Sequence, residues 1–584
     1  ATFNVGGVPL LWWPRVKGTF EESETSLRRI RAGYDDDFGA VLETEWYLFN
    51  LLGIPEPEGF DTTARLDYYS DRGPGTGVNV DYERPTTYGL FRGYYIHDDG
   101  RDNLGPLRRA EEEPSTNERG RVLWRHRHYL PDDWELTLEA AYFSDKNFLE
   151  EYETDEFFEG KQEETAFYLK RARGNEAVTL LSNWRMLESY TATEHRPEVT
   201  YRRLGDTFLD PLVMYHESRF GMVTYRPAEL TWDNLQFQLY NERFAPGPIF
   251  DRNYRVTDST ARGDVRQEFE LPLKLGAYNF VPFATLRGSY WDGQPRDSGA
   301  LWRWFGVGGV RASTIFSRVY DSIESALFDI HRIRHIIKPE VVAWSAGSNV
   351  RSDELTPFTY GIETIDPFYG FGARVAQTWQ TKRGPAGNER SVDVVTLNLG
   401  AGFFGNAEDR PDISDGWVDP MRPENSWTNN YIAGDAAWRI SDTTALLYDF
   451  NIDTNDWRLD RHNVSFVVER SPRLSYVLGY REAKPLDLEL IGGGWNYKLT
   501  EKYTSAFRGW YDLSRGEVGE VTVAFIRKLP RWYVSVALAY DEVEDDYSIS
   551  FSIWPEGVPE WALGPRRFVP LGSSTGIRPG PAVR

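Results

Sequence analysis

Apolar and polar residues alternate along most of the chain with a period of two. In YSISFSIW (547–554) the apolar residues on one side of an extended chain are Tyr547, Ile549, Phe551 and Ile553, and serines fill the other side. The same alternation occurs in WELTLEAAYF (134–143), LLYDFNID (446–453) and VTVAFI (521–526). Because side chains of a strand point to opposite faces in turn, the pattern predicts an all-β chain of amphipathic strands. Helical periodicity is weak, and frequent Gly and Pro interrupt what there is.

The connections between these strands are of two kinds. Some are short, such as ERSPRLSY (469–476), where Ser471 and Pro472 predict a tight turn. Others are long and polar, such as residues 97–120 and 405–427. Short turns at one end and long loops at the other are typical of outer-membrane barrels. No repeat of 20–50 residues is found, which argues against propellers and solenoids.

An antiparallel sheet in a soluble sandwich would also alternate. A soluble protein of this size, however, should bury some strands on both faces, and continuous Val, Ile and Leu runs are almost absent. Aromatic residues also cluster at strand ends, as in DYYS (67–70), GYYI (93–96) and SIW (552–554), where a membrane interface would place them. A tilted strand needs roughly 9–11 residues to cross a bilayer, so the chain has room for about two dozen crossings around a wide lumen.

Composition agrees with this interpretation. The formal charge of −23 argues against nucleic acid as a partner, since phosphate binding needs a basic surface. Cysteine is absent, which excludes disulfides and thiolate sites. No run of 18 apolar residues predicts a transmembrane helix, and a mean hydropathy of −0.54 suits strands that are apolar at every second position only. The first residues lack the pattern of a signal peptide, so we expect a mature or truncated form.

Candidate chemistry is weak. The acidic runs at 35–38, 111–113 and 541–546 could supply a carboxylate pair for glycoside hydrolysis, but such runs are usually solvated loops. His331 and His335 in HRIRH have a metal spacing only if that segment is helical. HRH (126–128) fits a basic strand or lumen wall better. No nucleophile elbow, phosphate loop or dinucleotide fingerprint occurs. We therefore predict no catalytic residues, no metal and no cofactor.

Seven segments of the chain carry recognisable motifs in a characteristic order. They are VGGVPLLWWP (5–14), YFSDKNFLEEY (142–152), HRPEVTYRR (195–203), residues 266–293, RHIIKPEVVAW (334–344), SPRLSYVLGYRE (471–482) and residues 508–540. Together they resemble one family, the outer-membrane lipopolysaccharide-assembly proteins, also called LPS transport protein D (LptD) or organic solvent tolerance protein. The matching positions are Pro9, Pro14, Ser144, Asp145, Phe148, Leu149, Tyr152, Pro197, Pro272, Pro282, His335, Pro339 and Val341.

The chain also departs from the family. Family members often carry a Cys pair just before the Trp of the penultimate strand, whereas Pro530 and Arg531 precede Trp532 here. Disulfide-controlled maturation is therefore not carried over. The periplasmic jellyroll of the family is absent or reduced to its last strand, and residues after Trp554 form an unusual tail.

The resemblance implies a large antiparallel transmembrane β-barrel of about 26 strands in the outer membrane of a Gram-negative cell. It divides the chain into residues 1–14, the end of the jellyroll and the hinge into the first barrel strand; 15–554, the barrel; and 555–584, an irregular tail. It also implies that the barrel places lipopolysaccharide in the outer leaflet. The implied partners are lipopolysaccharide, a plug lipoprotein in the lumen, periplasmic bridge proteins and outer-membrane lipids.

The resemblance further implies that the acyl chains leave sideways, through a lateral gate between the first and last strands. Proline cannot donate to a strand ladder, so Pro9 and Pro14 would bracket a first strand that pairs loosely with residues 547–554. Alternatively, the two prolines only shape the hinge. Other possible functions are a porin or a receptor-like barrel and, outside the membrane, a secreted carbohydrate-active β-protein.

Overall fold

The computed structural model describes most of the chain. The described residues are 2–5, 8–12, 26–103, 114–153, 156–157, 161–187, 191–226, 259–293, 299–385, 387–405, 430–455, 457–469, 473–484, 488–541 and 546–555. Within these residues the secondary structure is almost entirely β, as the alternation predicts. None of the helices in this part of the chain is long and apolar enough to cross a membrane.

The first half of the chain contains two short helices, α1 (Leu48–Leu52) and α2 (Phe148–Tyr152), and seventeen strand segments. The segments are β1 (Thr2–Val5), β2 (Val8–Trp12), β3 (Leu27–Asp35), β4 (Gly39–Tyr47), β5 (Phe60–Tyr69), β6 (Gly73–Glu83), β7 (Thr87–His97), β8 (Glu118–Leu130), β9 (Trp134–Phe143), β10 (Thr165–Arg173), β11 (Glu176–Trp184), β12 (Ala192–Leu209), β13 (Leu212–Arg226), β14 (Thr260–Glu270), β15 (Leu273–Leu275), β16 (Tyr278–Trp291) and β17 (Leu301–Thr314).

The second half adds a 3₁₀ turn at Ser352–Glu354 and the remaining strand segments. They are β18 (Phe316–Ser325), β19 (Ile330–Ser348), β20 (Tyr369–Arg383), β21 (Arg390–Phe404), β22 (Tyr431–Arg439), β23 (Thr444–Asp453), β24 (Arg458–Glu469), β25 (Leu474–Ala483), β26 (Leu488–Lys498), β27 (Tyr503–Asp512), β28 (Glu517–Leu529), β29 (Trp532–Asp541) and β30 (Asp546–Pro555).

Segments β3 to β30 form one closed antiparallel barrel. β14 and β15 both pair with β16, and β17 and β18 both pair with β19, so each of these two pairs is a single interrupted strand. Counted in this way the barrel has 26 strands, which confirms the predicted fold class. Closure removes sheet edges along the wall, the requirement for a β-sheet in lipid.

The connections between strands are longer at one end of the barrel than at the other. One end, here called the long-loop end, carries the connections at 98–117, 144–164, 227–259, 349–368 and 405–430. The other, the turn end, carries mostly short connections, such as those at 131–133, 174–175, 210–211 and 530–531. β3 begins and β30 finishes at the turn end. In outer-membrane barrels the long loops face outward, so the chain enters and leaves the barrel on the periplasmic side.

The two faces of the wall follow the predicted alternation. In β30 the side chains of Tyr547 and Ile549 are 53% and 47% exposed on the outer face, whereas Ser550 and Ser552 are 6% and 2% exposed on the inner face. In β23 the buried Asn451 and Asp453 fall on the face opposite Tyr448 and Phe450. The apolar outer face and polar inner face fit a membrane protein with a wet lumen.

The start of the barrel differs from the sequence-based expectation. β1 and β2 form a separate two-stranded sheet in which Pro9 is paired with Asn4. The first strand paired with β30 is β3, which begins at Leu27, so Pro9 does not border the seam. Pro14 and the tail at 556–584 lie outside the described residues. The reason for the difference is that β3 alternates apolar and polar residues as β30 does, whereas VPLLW does not.

Candidate functional site

The barrel closes at the seam between β3 and β30. This ladder has six residue pairs, from Ile30 opposite Ile553 to Asp35 opposite Ser548. The adjoining β29–β30 ladder has ten. Among the barrel pairings of the described residues, β9–β10 also has six pairs, and only the short segment β15, which continues the β14 ladder along β16, has fewer. Since each antiparallel residue pair adds backbone hydrogen bonds, the seam is held by fewer bonds than nearly all other junctions.

Several residues on the inner side of the seam are small, whereas Arg31 is long. Gly33 is opposite Ser550, and Arg31 is opposite Ser552. The two strands approach closely at Gly33, where an added Cβ would lie 2.2 Å from the carbonyl oxygen of Ile549. On the outer side Ala32 faces Phe551, and the rings of Tyr34 and Tyr547 lie with centroids 6.5 Å apart. The apolar residues Tyr547, Ile549, Phe551 and Ile553, which the sequence predicted to border a gate, thus all lie on the outer face of the barrel.

A buried ionic cluster lies at the long-loop end. Here it is called the α2 cluster, and its members are Arg72, Asp98, Asp102, Arg119, Asp145 and Glu151. Arg119 Nη1 donates to Asp98 Oδ2 at 2.8 Å and to Asp102 Oδ1 at 2.6 Å. Arg72 Nη2 donates to Glu151 Oε2 at 3.2 Å. Both guanidiniums are fully buried, so these contacts replace all of their water.

Aromatic packing completes the α2 cluster. Phe148 and Tyr152 of α2 stack on each other with centroids 5.2 Å apart, and they pack against inward-facing Tyr94, Leu123 and Phe143 of the wall. The Tyr152 hydroxyl donates to Asp98 Oδ2 at 2.7 Å. The segment containing α2 therefore folds inward and covers part of the lumen wall at the long-loop end.

A second loop segment, residues 349–368, folds inward in the same way. Arg303 Nη1 of β17 donates to the carbonyl of Ile362 at 2.8 Å, and Arg262 Nη1 of β14 donates to Glu363 Oε1 at 2.9 Å. The indole of Trp291 donates to the same Glu363 oxygen at 3.2 Å. The apolar residues packed with this segment are Val223, Tyr225, Leu301, Val350, Leu355, Phe358 and Ile362. Wall arginines thus fix a second cover over the lumen.

Burial changes the pKa of carboxyl groups in both loop segments. It raises the pKa of the Glu151 carboxyl to about 8, against the opposing effect of Arg72 and with a further contribution from Asp102. It also raises the pKa of Glu363, although Arg262 opposes that shift. For Asp98, burial is outweighed by Arg72 and the Tyr152 hydrogen bond, so its pKa is lowered. Two guanidiniums face four carboxyls in the α2 cluster, and one carboxyl holding a proton reduces the excess negative charge.

The family positions Ser144 and Asp145 belong to the α2 cluster. Ser144 Oγ donates to Asp145 Oδ2 at 2.7 Å and accepts the backbone N–H of Gly120 at 3.0 Å. Asp145 in turn binds Arg119. Ser144 and Asp145 were predicted from the sequence, whereas Arg72, Arg119 and Glu151 were not. Arginines at inward positions next to strand ends were the available signal, but their acidic partners are far away in sequence.

The family prolines lie where strand ladders are interrupted. Leu271 N–H donates to the carbonyl of Pro282 at 2.9 Å, and Pro282 has no N–H to return a bond. Pro272 separates β14 from β15 at the same level. The β17–β19 ladder ends at the pair Ser313–Glu340, and the next position places Pro339 opposite the end of β17, beside its break with β18. Pro272 and Pro282 are thus brought together on neighbouring strands.

The other positions predicted from the family resemblance do not come together in the structure. His335 lies in β19, not in a helix, and stacks on Trp379 with centroids 4.4 Å apart. Pro197 lies in an irregular part of β12, and Trp532 begins β29. Neither acidic nor histidine side chains of the described residues are grouped so that they could hold a metal ion.

The lumen wall of β19–β25 carries a polar concavity of about 880 Å³. Its charged and amide side chains are Glu340, Arg374, Asn398, Asp435, Asp449, Arg461, Asn463 and Arg481. Asn463 Nδ2 donates to Asp449 Oδ2 at 2.8 Å, and Asn398 Nδ2 donates to Asp435 Oδ2 at 2.9 Å. Donors and acceptors of both charge signs therefore face the lumen, a surface suited to hydroxyl-rich and charged solutes.

One known family matches part of the chain. Residues 117–341 match the family model described as LptD, LPS transport system D. This part of the chain is similar to LptD, and the closed 26-strand barrel is consistent with an LptD barrel domain. The recognition made from the sequence is thereby confirmed, and an LptD-type barrel is an integral protein of the outer membrane. The matched region contains Ser144, Asp145 and all of the marked prolines from Pro197 to Pro339, whereas the seam strands β3 and β30 lie outside it.

Other similarities are remote. No curated protein sequence matches the chain. The siderophore receptor PirA from Pseudomonas aeruginosa is 10% identical over 90% of this chain and 78% of its own, with a TM-score of 0.31. A mutant porin of Rh. blastica is 12% identical over 52% of this chain and 93% of its own, with a TM-score of 0.20. At these scores neither structure adds to the LptD assignment.

Proposed function

We propose that this LptD-type barrel inserts lipopolysaccharide into the outer leaflet through a lateral opening between β3 and β30. The observation that carries the proposal is the six-pair ladder of the seam, beside a ten-pair ladder in β29–β30. A glycolipid has to leave the barrel sideways because its acyl chains belong in the hydrocarbon layer. A junction with few bonds separates at a lower free-energy cost than one with many, and the seam shares its six-pair length with β9–β10.

The inner and outer faces of the seam suit the two parts of that substrate. Sugars and phosphates meet the polar lumen, where Arg374, Arg461 and Arg481 project from the β19–β25 wall. Acyl chains meet Ile549, Phe551 and Ile553 on the outer side. The inward residues Gly33, Ser550 and Ser552 are small, so no bulky side chain has to move when the two strands separate there. No bond of the substrate needs to be made or broken, in keeping with a transport role.

The proposed partners follow from the two ends of the barrel. A barrel of 26 strands encloses a lumen wide enough for a plug, and we place the plug lipoprotein there. The periplasmic bridge proteins would deliver lipopolysaccharide at the turn end, where β3 begins and β30 finishes. The inward-folded segments at 144–153 and 349–368 would limit leakage at the long-loop end.

A disulfide across the seam tests the proposal. The chain has no cysteine, so Ala32→Cys with Phe551→Cys creates a single possible bridge between facing residues of β3 and β30. Facing Cα atoms of antiparallel strands lie within the span of a disulfide. In cells that carry the full-length protein and its partners, oxidation is expected to stop surface delivery of lipopolysaccharide, and a reductant is expected to restore it.

The matched control keeps the same cysteine at position 551. Val536→Cys with Phe551→Cys bridges β29 to β30, which leaves the seam free to open. Delivery in this control should not change on oxidation. Continued delivery by the fully oxidised seam variant would show that the barrel does not open between β3 and β30.

A further inference from the structure

An apolar groove lies on the outer surface of the barrel, across β13, β14, β16 and β17. It has a volume of about 620 Å³, within the range of small-ligand sites. Its apolar walls are Phe220, Met222, Val265, Tyr290 and Trp302. The strand register places these side chains on the face opposite inward-pointing Arg262 and Ser289, so the groove faces lipid. Phe220 and Trp302 are 56% and 68% exposed.

Two glycines form the floor of the groove. An added Cβ on Gly288 would meet no atom within 4 Å, and one on Gly263 would lie 3.4 Å from the Phe220 ring. Tyr290 and Trp302 stand beside this floor with ring centroids 4.5 Å apart. The groove is therefore a gap left by missing side chains between bulky neighbours, and a single larger residue at position 288 would fill it.

The groove runs inward from the membrane interface at the long-loop end. Tyr290 and Trp302 are each one residue from the end of their strand at that side, at the level where aromatic residues border the headgroups. Gly263 of β14 is paired with Tyr290, and Val265 lies two residues further along, which at about 3.3 Å per residue places it roughly 7 Å below that level. This path leads from the headgroup level into the hydrocarbon of the outer leaflet.

A positively charged side chain, Arg226, lies beyond the groove on the same face of the barrel. Arg226 is four residues past Met222 on β13, and its Nε lies 3.2 Å from Glu194 Oε2. Arg196 pairs with the same carboxylate. Two guanidiniums sharing one carboxylate leave one positive charge on the headgroup side of the groove.

We propose that this groove is a resident lipid site that holds one acyl chain of an outer-leaflet phosphoglycolipid, with a phosphate directed toward Arg226. The choice of a glycolipid rests on the proposed function, since that is the lipid the barrel would place in this leaflet. The site is separate from the seam, because β13 to β17 and the strands β3 and β30 are far apart in the strand order. The bound lipid is of the kind that the barrel delivers to the outer leaflet, and it supports the outer wall of the barrel.

Native mass spectrometry with purified lipid A tests the site. The full-length protein with its partners is exchanged into detergent and titrated with lipid A or with phosphatidylethanolamine. Wild type is expected to retain lipid A, and Gly288→Leu is expected to retain one lipid fewer per protein, with at least a tenfold weaker Kd for that lipid. Arg226→Gln should weaken lipid A several-fold and phosphatidylethanolamine much less.

Gly308→Leu is the matched control. Gly308 also lies on the outer face, in β17, and an added Cβ there meets nothing within 4 Å, but it does not line the groove. This variant should bind as wild type does. Gly263→Val offers a second way to fill the groove if Gly288→Leu does not reach the folded, heat-modifiable form.

Three outcomes would overturn the inference. They are equal lipid A retention by wild type and both filled-groove variants, equal loss in the Gly308→Leu control, and retention of phosphatidylethanolamine as tight as that of lipid A. A failed seam cross-link test is distinguishable, because it concerns delivery to the surface and leaves the groove titration unaffected.

Discussion

The carboxylate of Asp145 accepts two hydrogen bonds from the guanidinium of Arg119, with Nε–Oδ2 and Nη2–Oδ1 distances of 3.0 and 2.9 Å. Arg119 stands at the start of β8, and Asp145 directly follows β9 on the way to α2. Both side chains are buried. This bidentate pair therefore fastens an inward-folded loop segment to the barrel wall, within the region that matches the LptD family.

Removing the acid of this pair should release the α2 segment. Asp145→Asn removes the charge of the bidentate acceptor, while Arg119 keeps Asp98 and Asp102 as partners, so we expect a cost of about 1–3 kcal/mol from the weakened hydrogen bonds. We expect hydrogen exchange of the amides in 144–153 to speed up strongly, while the amides of β13 to β17 stay protected. Mass-resolved hydrogen exchange of the folded barrel measures both.

A surface ion pair provides the control for that prediction. Arg92 of β7 and Asp81 of β6 also form an ion pair, with Nη2–Oδ1 at 2.6 Å, but Asp81 is half exposed. Asp81→Asn should change stability by less than about 1 kcal/mol, because water and salt screen exposed pairs. Exchange in 144–153 that is as slow in Asp145→Asn as in wild type would show that the pair does not hold the segment.

The α2 segment should loosen as pH rises. The Glu151 carboxyl has its pKa raised from 4.5 to about 8, so the folded segment binds a proton that the unfolded segment releases at lower pH. Its stabilising effect is therefore complete below about pH 4.5 and is lost as pH approaches 8. Asp37, whose pKa is also raised, acts in the same direction.

Limited proteolysis or hydrogen exchange of residues 144–153 at pH 5 and pH 9 measures this effect. Protection is expected to be higher at pH 5. Glu151→Gln keeps the neutral form at all pH values and should remove most of the difference. A segment that becomes more protected at pH 9 would contradict the assignment of the proton to this cluster.

A side chain at Gly33 should loosen the seam. Gly33→Val places a Cβ 2.2 Å from the Ile549 carbonyl oxygen, so β3 has to move away from β30. Valine is otherwise favourable in strands, so the steric contact dominates. We expect amide exchange in 548–553 to rise about tenfold or more through local opening. Gly308→Val, where an added Cβ meets no atom, should leave exchange unchanged, and an unaffected seam in Gly33→Val would count against close strand contact there.

Replacing Pro282 should repair the interrupted ladder. In Pro282→Ala the new N–H faces the carbonyl of Leu271, whose own N–H already donates to residue 282 at 2.9 Å. The added bond contributes about 0.5–1.5 kcal/mol, and the unfolded chain gains about 0.4–1 kcal/mol in freedom. We expect a protected amide at position 282 and a nearly unchanged melting temperature. An amide that exchanges as fast as a loop would mean that the strands diverge at this level for another reason.

Some features of this protein follow from local sequence. The period-two alternation of 547–554 and 446–453 determined which residues face lipid and which face the lumen, because successive side chains of any strand point in opposite directions. The long polar connections at 97–120 and 405–427 could also be recognised locally, and they identified the long-loop end. The family positions Ser144 to Pro339 were also visible as sequence segments.

Other features depended on residues far apart in the chain. The seam begins at Leu27 and not near Pro9, because strand pairing is decided by the register of two whole strands that are hundreds of residues apart. The α2 cluster likewise joins Arg72, Arg119 and Glu151, and the second cover joins Arg262 to Glu363. Only closure of the barrel brings these charges together, and their burial then fixes which of them can pair, because an unpaired charge in that environment is too costly to keep.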